Sequence, residues 1–400
     1  MDSLPPVIRR HWSLAAAALL FGIYGWALVA ATGSGHDGVI GPHFNALGAD
    51  WVIFMAAGRA VFNHDLGHIY SQAWITSAVK IQFSHWLSAP LPYPLFPYPP
   101  VFLLLVAPFA LLPVWLSLAL SQLLQFAALA WALRRFAPNK TWLFFLVGAV
   151  LAPAASNNVL AGSNAVLVAA LIVGGVASLE RKPLLAGLLL GLVIFKPQFV
   201  PLLAVAMVAG GYWRALGAAA VTAILLVLVS VIAFGPALWL DWANVYLHPR
   251  LVAGVNATDW GHRWDDSVST VATLLGAPHW AALVAQCVAA LVAVLAVWRA
   301  FAARSPAQLP ILLCAGLLAS PHVSNYDLIG LAIAALALVR WVPVQTRPIM
   351  LMLPLAAYLA PLFNPPRAMP LGLVTPLVIL GTMAFLMRAR RLPSHPAPRG

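Results

Sequence analysis

The chain has 400 residues, of which 62% are hydrophobic and only 8% charged. A soluble domain carries roughly a quarter charged residues, so a water-soluble fold of this length is excluded. The formal net charge of +12 would point to nucleic acid on a soluble protein. In so apolar a chain it is topological instead, and no nucleic-acid partner is expected. Cys287 and Cys314 sit in apolar stretches without metal-type spacing, so neither a disulfide framework nor a zinc site is indicated. No Gly-rich loop of the P-loop kind occurs, which argues against a nucleotide-driven pump.

Apolar runs recur along the whole length, many near the ~20 residues a spanning helix needs. Residues 1–400 therefore read as a single all-α polytopic membrane domain. The first run, Trp12 to Thr32, follows Arg9 and Arg10. It is too long for a signal peptide and lacks a small-residue cleavage site, so it reads as a retained helix. Cationic clusters recur at Arg134/Arg135/Lys140, Arg181/Lys182, Arg214, Arg299/Arg304, Arg340/Arg347 and Arg388/Arg390/Arg391. Placing them inside puts every acidic residue except Asp2 and Glu180 on or near the outer face. Further spans are expected at 114–133, 141–156, 162–179, 183–197, 198–212, 215–235, 279–299, 308–322, 325–341, 348–363 and 371–388. That makes about 12 helices with both ends cytoplasmic. Residues 98–112, interrupted by Pro108, read as a re-entrant or half-crossing helix.

The first outer loop, 33–100, is the longest polar interruption. From Asp50 onward, Trp51, Phe54, Met55, Gly58 and Phe62 repeat at helical spacing, which predicts an amphipathic helix lying in the interface. Arg59 falls on the opposite side of that helix from Asp50. A second amphipathic stretch runs from Ser71 to Trp86, and a proline-dense segment ending Tyr98-Pro99-Pro100 forces an extended lead-in. The second outer loop, 235–266, carries Asp241, His248, Arg250, Asp259, His262, Arg263, Asp265 and Asp266.

The order of short motifs resembles glycosyltransferase family 87, polytopic enzymes of the GT-C class. The set is Asp50, Ala56-Ala57-Gly58-Arg59, Leu66-Gly67-His68-Ile69-Tyr70, Tyr98-Pro99-Pro100, Gly162-Ser163-Asn164, Phe195-Lys196-Pro197-Gln198, Tyr212-Trp213-Arg214 and Ser320-Pro321-His322. The resemblance runs from about Asp50 to residue 330. It departs from the family pattern at Ser163, where a Gln is common, and at Tyr326-Asp327. It implies a GT-C-type bundle and a hexosyltransferase similar to mannosyltransferases. Such an enzyme takes sugar from a polyprenyl-phosphate donor and passes it to a lipid-linked or glycan acceptor. The resemblance makes Asp50 the expected catalytic base and marks Tyr98 and Asn164 as supporting residues.

Each candidate has a plainer alternative. Asp50 can deprotonate an acceptor hydroxyl, or simply cap its helix. Lys196, ending an apolar run, can bind the donor phosphate, or snorkel to the interface. His322 can donate a hydrogen bond to that phosphate with its ring oriented by Asp327, or be a histidine satisfied by a helix end. Arg59, Arg263 and Arg367 suit phosphate contacts, but each alone also reads as a solvated charge. His64 with His68 and Asp65, and His262 with Asp265 and Asp266, are weaker metal candidates. The expected activity is an inverting, metal-independent transfer at the outer face of the cell membrane, without a cofactor. The competing readings are a transporter or flippase for an anionic lipid-linked substrate, and a polymerase or ligase of lipid-linked glycans.

Overall fold

The computed structural model describes residues 47–87, 91, 94–137, 139–247, 265–341, 351–360 and 375–388, with isolated positions between 8 and 23. Most of the expected first span, together with His262, Arg263 and Arg367, lies outside the described residues. Within them the chain is helical and contains no strand.

Three helices are long and apolar enough to cross a bilayer alone: Val114–Phe136, Trp213–Phe234 and His279–Ala302. The apolar side chains that Trp213–Phe234 and His279–Ala302 leave exposed, such as Ile224, Ile232, Leu291 and Leu295, suit contact with lipid. Shorter apolar helices include Ala165–Ser178, Gln308–Ala319 and Ile329–Trp341. The elements fall close to the expected runs, but the full set of about 12 crossings is not shown by their lengths.

One expected span is broken and one expected boundary is met, and a proline explains each. The run 141–156 splits into Thr141–Val150 and Pro153–Ala161, bent by 55°. Pro153 pushes the preceding Ala152 into extended backbone, with ψ 139°, and helix geometry is lost there. Helix Pro183–Gly191 tightens into a 3-10 turn, Leu192–Phe195, then stops. Pro197 forbids helical backbone at Lys196, which adopts φ −119° and ψ 77°. The chain resumes as a helix at Val200–Ala209. Lys196 therefore sits at the end of one apolar helix, directly before the next, as expected. The half-crossing expected at 98–112 is a helix, Val101–Ala110, about 15 Å long at ~1.5 Å per residue.

The helix expected to float in the interface does not. Ala49–Phe62 is buried along nearly its whole length, with Val52, Met55, Ala56 and Ala57 inaccessible. Its residues between the large side chains are small. Gly58 lets the backbone of Val101–Ala110 approach so closely that an added Cβ would lie 2.9 Å from the Ala110 Cβ. A small-residue face of this kind buries against protein, where the large side chains alone had suggested lipid. The second amphipathic stretch forms as expected at Gln72–Gln82, with the Ser71 side chain as its N-cap.

A polar device holds the turn at 162–164. Helix Pro153–Ala161 ends on Gly162 with φ 69°, and Ser163 and Asn164 follow before Ala165–Ser178 begins. Asn158 Oδ1 accepts the Ala165 N–H at 2.9 Å, and Asn158 Nδ2 donates to Gln122 Oε1 at 2.8 Å. Gln122 and Gln125 both donate to the Ser163 carbonyl, at 3.2 and 2.9 Å. Broken backbone at such depth survives only where side chains replace the missing helix bonds.

Candidate active site

Asp50 is anchored from both sides. The Gly48 N–H donates to the Leu160 carbonyl at 2.6 Å, tying the helix start to the end of Pro153–Ala161. Trp51 Nε1 donates to Ser117 Oγ at 2.8 Å. The Trp51 Cβ packs against Gly162 so tightly that a Cβ there would lie 2.5 Å away. These contacts turn Asp50 toward Ser163, Lys196, Tyr326 and Asp327. Gly48, not Asp50, is the N-cap, and no side chain caps this helix. The capping alternative for Asp50 is therefore set aside.

Lys196 and Asp327 form a buried ion pair, Nζ to Oδ1 2.7 Å, with side chains 5% and 7% exposed. The other Asp327 oxygen accepts the Ser324 N–H at 3.0 Å. Lys196 Nζ also lies 5.7 Å from the centre of the Tyr326 ring. The Tyr326 hydroxyl faces the Asp50 carboxylate closely enough to favour its ionised form. Tyr98 completes the wall: its ring stacks on Phe102 at 4.3 Å, and its hydroxyl lies 3.4 Å from Asn164 Oδ1. Two buried polar atoms at this turn, Ser163 Oγ and Asn164 Nδ2, have no close hydrogen-bond partner among the described residues. Ser163 Oγ is near enough to Asp50 to favour its ionised form, without a short bond to it.

The Ala49–Phe62 helix is not one of the apolar spans. Burial pushes the Asp50 carboxyl up to about 6, against the pull of the Tyr326 hydroxyl and the Lys196 ammonium, with Asp327 adding to the rise. Asp50 nonetheless stays partly accessible. A carboxylate of this basicity is a better proton acceptor near neutrality than an ordinary one.

His322 stands beside this set, with Asp327 and Lys196 both within electrostatic reach. Its ring partner, however, is Asp265, with Nδ1 to Oδ2 3.4 Å. Asp327 is committed to Lys196 and Ser324, so the expected Asp327–His322 orientation gives way to one set by Asp265. Arg59 is not in the cluster. Its Nε donates to the Ala110 carbonyl at 3.3 Å, and its guanidinium lies over Phe83 at 4.7 Å. Asp65 accepts from Trp74 Nε1 at 2.7 Å. No group of three or more His, Cys, Asp or Glu gathers as a metal site among the described residues.

The sequence reading passed over Gln122, Gln125, Asn158 and Gln286 as site supports. Their signal was present: uncharged polar residues recurring inside otherwise apolar helices. Gln286 Nε2 donates to the carbonyls of Leu318, Ala319 and Ser320, each at 3.2 Å, and so steadies the chain that carries His322.

A buried cluster with one basic carboxylate beside a cation suits transfer of a group to an alcohol, and the sequence agrees. The profile of glycosyltransferase family 87 matches residues 96–321. The chain belongs to glycosyltransferase family 87. The protein is accordingly a glycosyltransferase with a sugar donor and an acceptor, and the transporter or flippase alternative falls away. The matched stretch takes in Tyr98, Asn164 and Lys196, stops one residue short of His322, and leaves the Asp50 helix before it. Among the curated proteins and the solved structures compared, none matches the chain.

Proposed function

We propose that this family 87 enzyme transfers a hexose, mannose by resemblance, from a polyprenyl-phosphate sugar to a lipid-linked or glycan acceptor, with inversion. The observation that carries the reading is the meeting of Asp50, Tyr326, Lys196 and Asp327 from separate parts of the chain. Asp50 takes the proton of the acceptor hydroxyl as that oxygen bonds to the anomeric carbon. The bond from that carbon to the donor phosphate oxygen breaks, and its electron pair leaves with the lipid phosphate. Lys196 and His322 hold the growing negative charge. Lys196 has N–H groups to spare beyond the one engaged by Asp327. Tyr98 and Asn164 line the recess beside the sugar, and the unpaired Asn164 Nδ2 offers a donor to one of its hydroxyls.

Helix direction supports action at the outer face. Ala165–Ser178 begins beside the recess and is followed by Arg181 and Lys182. Gln308–Ala319 ends at Ser320 beside the recess and follows Arg304. Arg304 lies 3.9 Å from Glu180, which puts these two far ends together. The recess and the cationic clusters are thus at opposite ends of the same helices, and positive ends face the cytoplasm.

The test is purified protein with polyprenyl-phosphate mannose and candidate acceptors, wild type against Asp50→Asn. Transfer by wild type and its loss in the variant are expected. Equal turnover by the two would remove the base assignment, and transfer only from a nucleotide sugar would remove the donor.

A further inference from the structure

The described residues hold a second buried charge cluster, beside the first and built on Asp265. A carboxylate in a solvated loop faces water; this one is filled with donors. The backbone N–H groups of Ser267 and Val323 donate to Oδ1, both at 2.9 Å. The hydroxyls of Ser267 and Thr270 donate to Oδ2, at 3.2 and 2.9 Å. The next residue adds a clasp, the Asp266 N–H donating to the Val323 carbonyl at 2.7 Å. The Asp265 side chain is 11% exposed, while the His322 ring that it meets through Nδ1 is 60% exposed. The other ring nitrogen, Nε2, lies 3.4 Å from Ser324 Oγ. Ser324 in turn donates its N–H to Asp327, the partner of Lys196. The imidazole thus bridges a rigid carboxylate on one side and the edge of the Lys196 recess on the other.

We propose that Asp265 is a positioning residue for sugar transfer, holding the His322 ring with Nδ1 toward itself and Nε2 toward the donor phosphate, as a cation. This rests on the donor reading above for the phosphate alone. The charged groups facing His322 are Asp265, Asp266, Asp327 and Lys196. Desolvation on the side where the ring packs against the cluster lowers the imidazole, and Lys196 lowers it further; Asp265, with Asp327, outweighs both, and the net direction is upward. Burial raises the Asp265 carboxyl, but its contact with His322, and after it the Val323 and Ser267 N–H groups, bring it below its ordinary range, so carboxylate and imidazolium favour each other.

Two measurements test this. In wild type, the His322 imidazole is titrated by carbon-detected NMR of histidine-labelled protein, its resonance assigned by its absence in His322→Gln. The expected midpoint lies above the ordinary histidine value of about 6.5. In Asp265→Asn the midpoint falls. Transfer efficiency then drops on the order of tenfold at about pH 8 but returns toward wild type at about pH 6, where the ring is protonated without help. A merely structural role for Asp265 predicts the same loss at every pH. An unmoved His322 midpoint in Asp265→Asn, or an ordinary midpoint in wild type should that variant not fold, overturns the proposal alone. Full transfer by His322→Gln removes the phosphate role of the ring, and the proposal falls with it.

Discussion

Replacing Asp50 with Asn separates a catalytic carboxylate from a structural one, because the two roles predict opposite changes in stability. Burial lifts the carboxyl from 3.8 to about 6. In the unfolded chain it titrates near its ordinary value, so at neutral pH folding forces an ionised group into a place that disfavours it. Roughly two pH units at ~1.36 kcal/mol each give about 3 kcal/mol of strain in the native state. The sign follows from the raised value: the stabilising preference is complete below about 3.8 and is lost as pH rises through about 6. Two effects reduce the figure. Asp50 keeps some contact with solvent, and its place in the first helical turn recovers roughly 0.3–1 kcal/mol. Asn keeps an oxygen for the Tyr326 hydroxyl and carries no charge. Asp50→Asn is therefore expected to raise the melting temperature in detergent by a few degrees at neutral pH, with the gain vanishing on acidification, while transfer is lost. A variant that loses activity and melts lower at neutral pH would show that Asp50 anchors the fold, and the base argument would fail.

Four further outcomes are expected. Transfer by wild type falls on acidification with a midpoint near the Asp50 value of about 6, read from a pH profile of kcat/KM. Tyr326→Phe removes a hydroxyl that favours ionised Asp50, so the acid limb of that profile moves to higher pH; an unmoved limb would mean the two side chains do not interact. Lys196→Met strands Asp327 in a dry site and costs about 3–5 kcal/mol in a thermal melt. The double variant Lys196→Met, Asp327→Leu regains most of that stability but still fails to bind the donor, which a purely structural ion pair would not predict. Gly162→Ala places a Cβ against Trp51 at 2.5 Å in left-handed backbone, and should cost about 2–4 kcal/mol together with most transfer.

Much of the molecule was legible in the sequence, and the reasons are local. Low charge and recurrent apolar runs determined a helical membrane protein, since nothing else lets 62% hydrophobic residues avoid water. Pro197 marked the helix boundary at Lys196, because it acts on the residue beside it; Pro153 does the same at Ala152, but inside a run the sequence had read as one span. The ordered motifs pointed to the family through residues such as Lys196 and Asn164, whose spacing along the chain survives without a structure.

What the sequence could not decide was which charge meets which. Asp327 lies five residues from His322 yet pairs with Lys196, 131 residues away, and His322 turns to Asp265 instead. Arg59 shares a helix with Asp50 but is drawn to the Ala110 carbonyl. The Asp50 helix read as interfacial because its large side chains form a stripe, but small residues on its other faces let neighbours close over it. Partner choice depends on how helices pack and how buried charges compensate, and both are properties of the assembled bundle rather than of neighbours in the chain. Tertiary structure alone made one buried cluster from residues that the sequence keeps far apart.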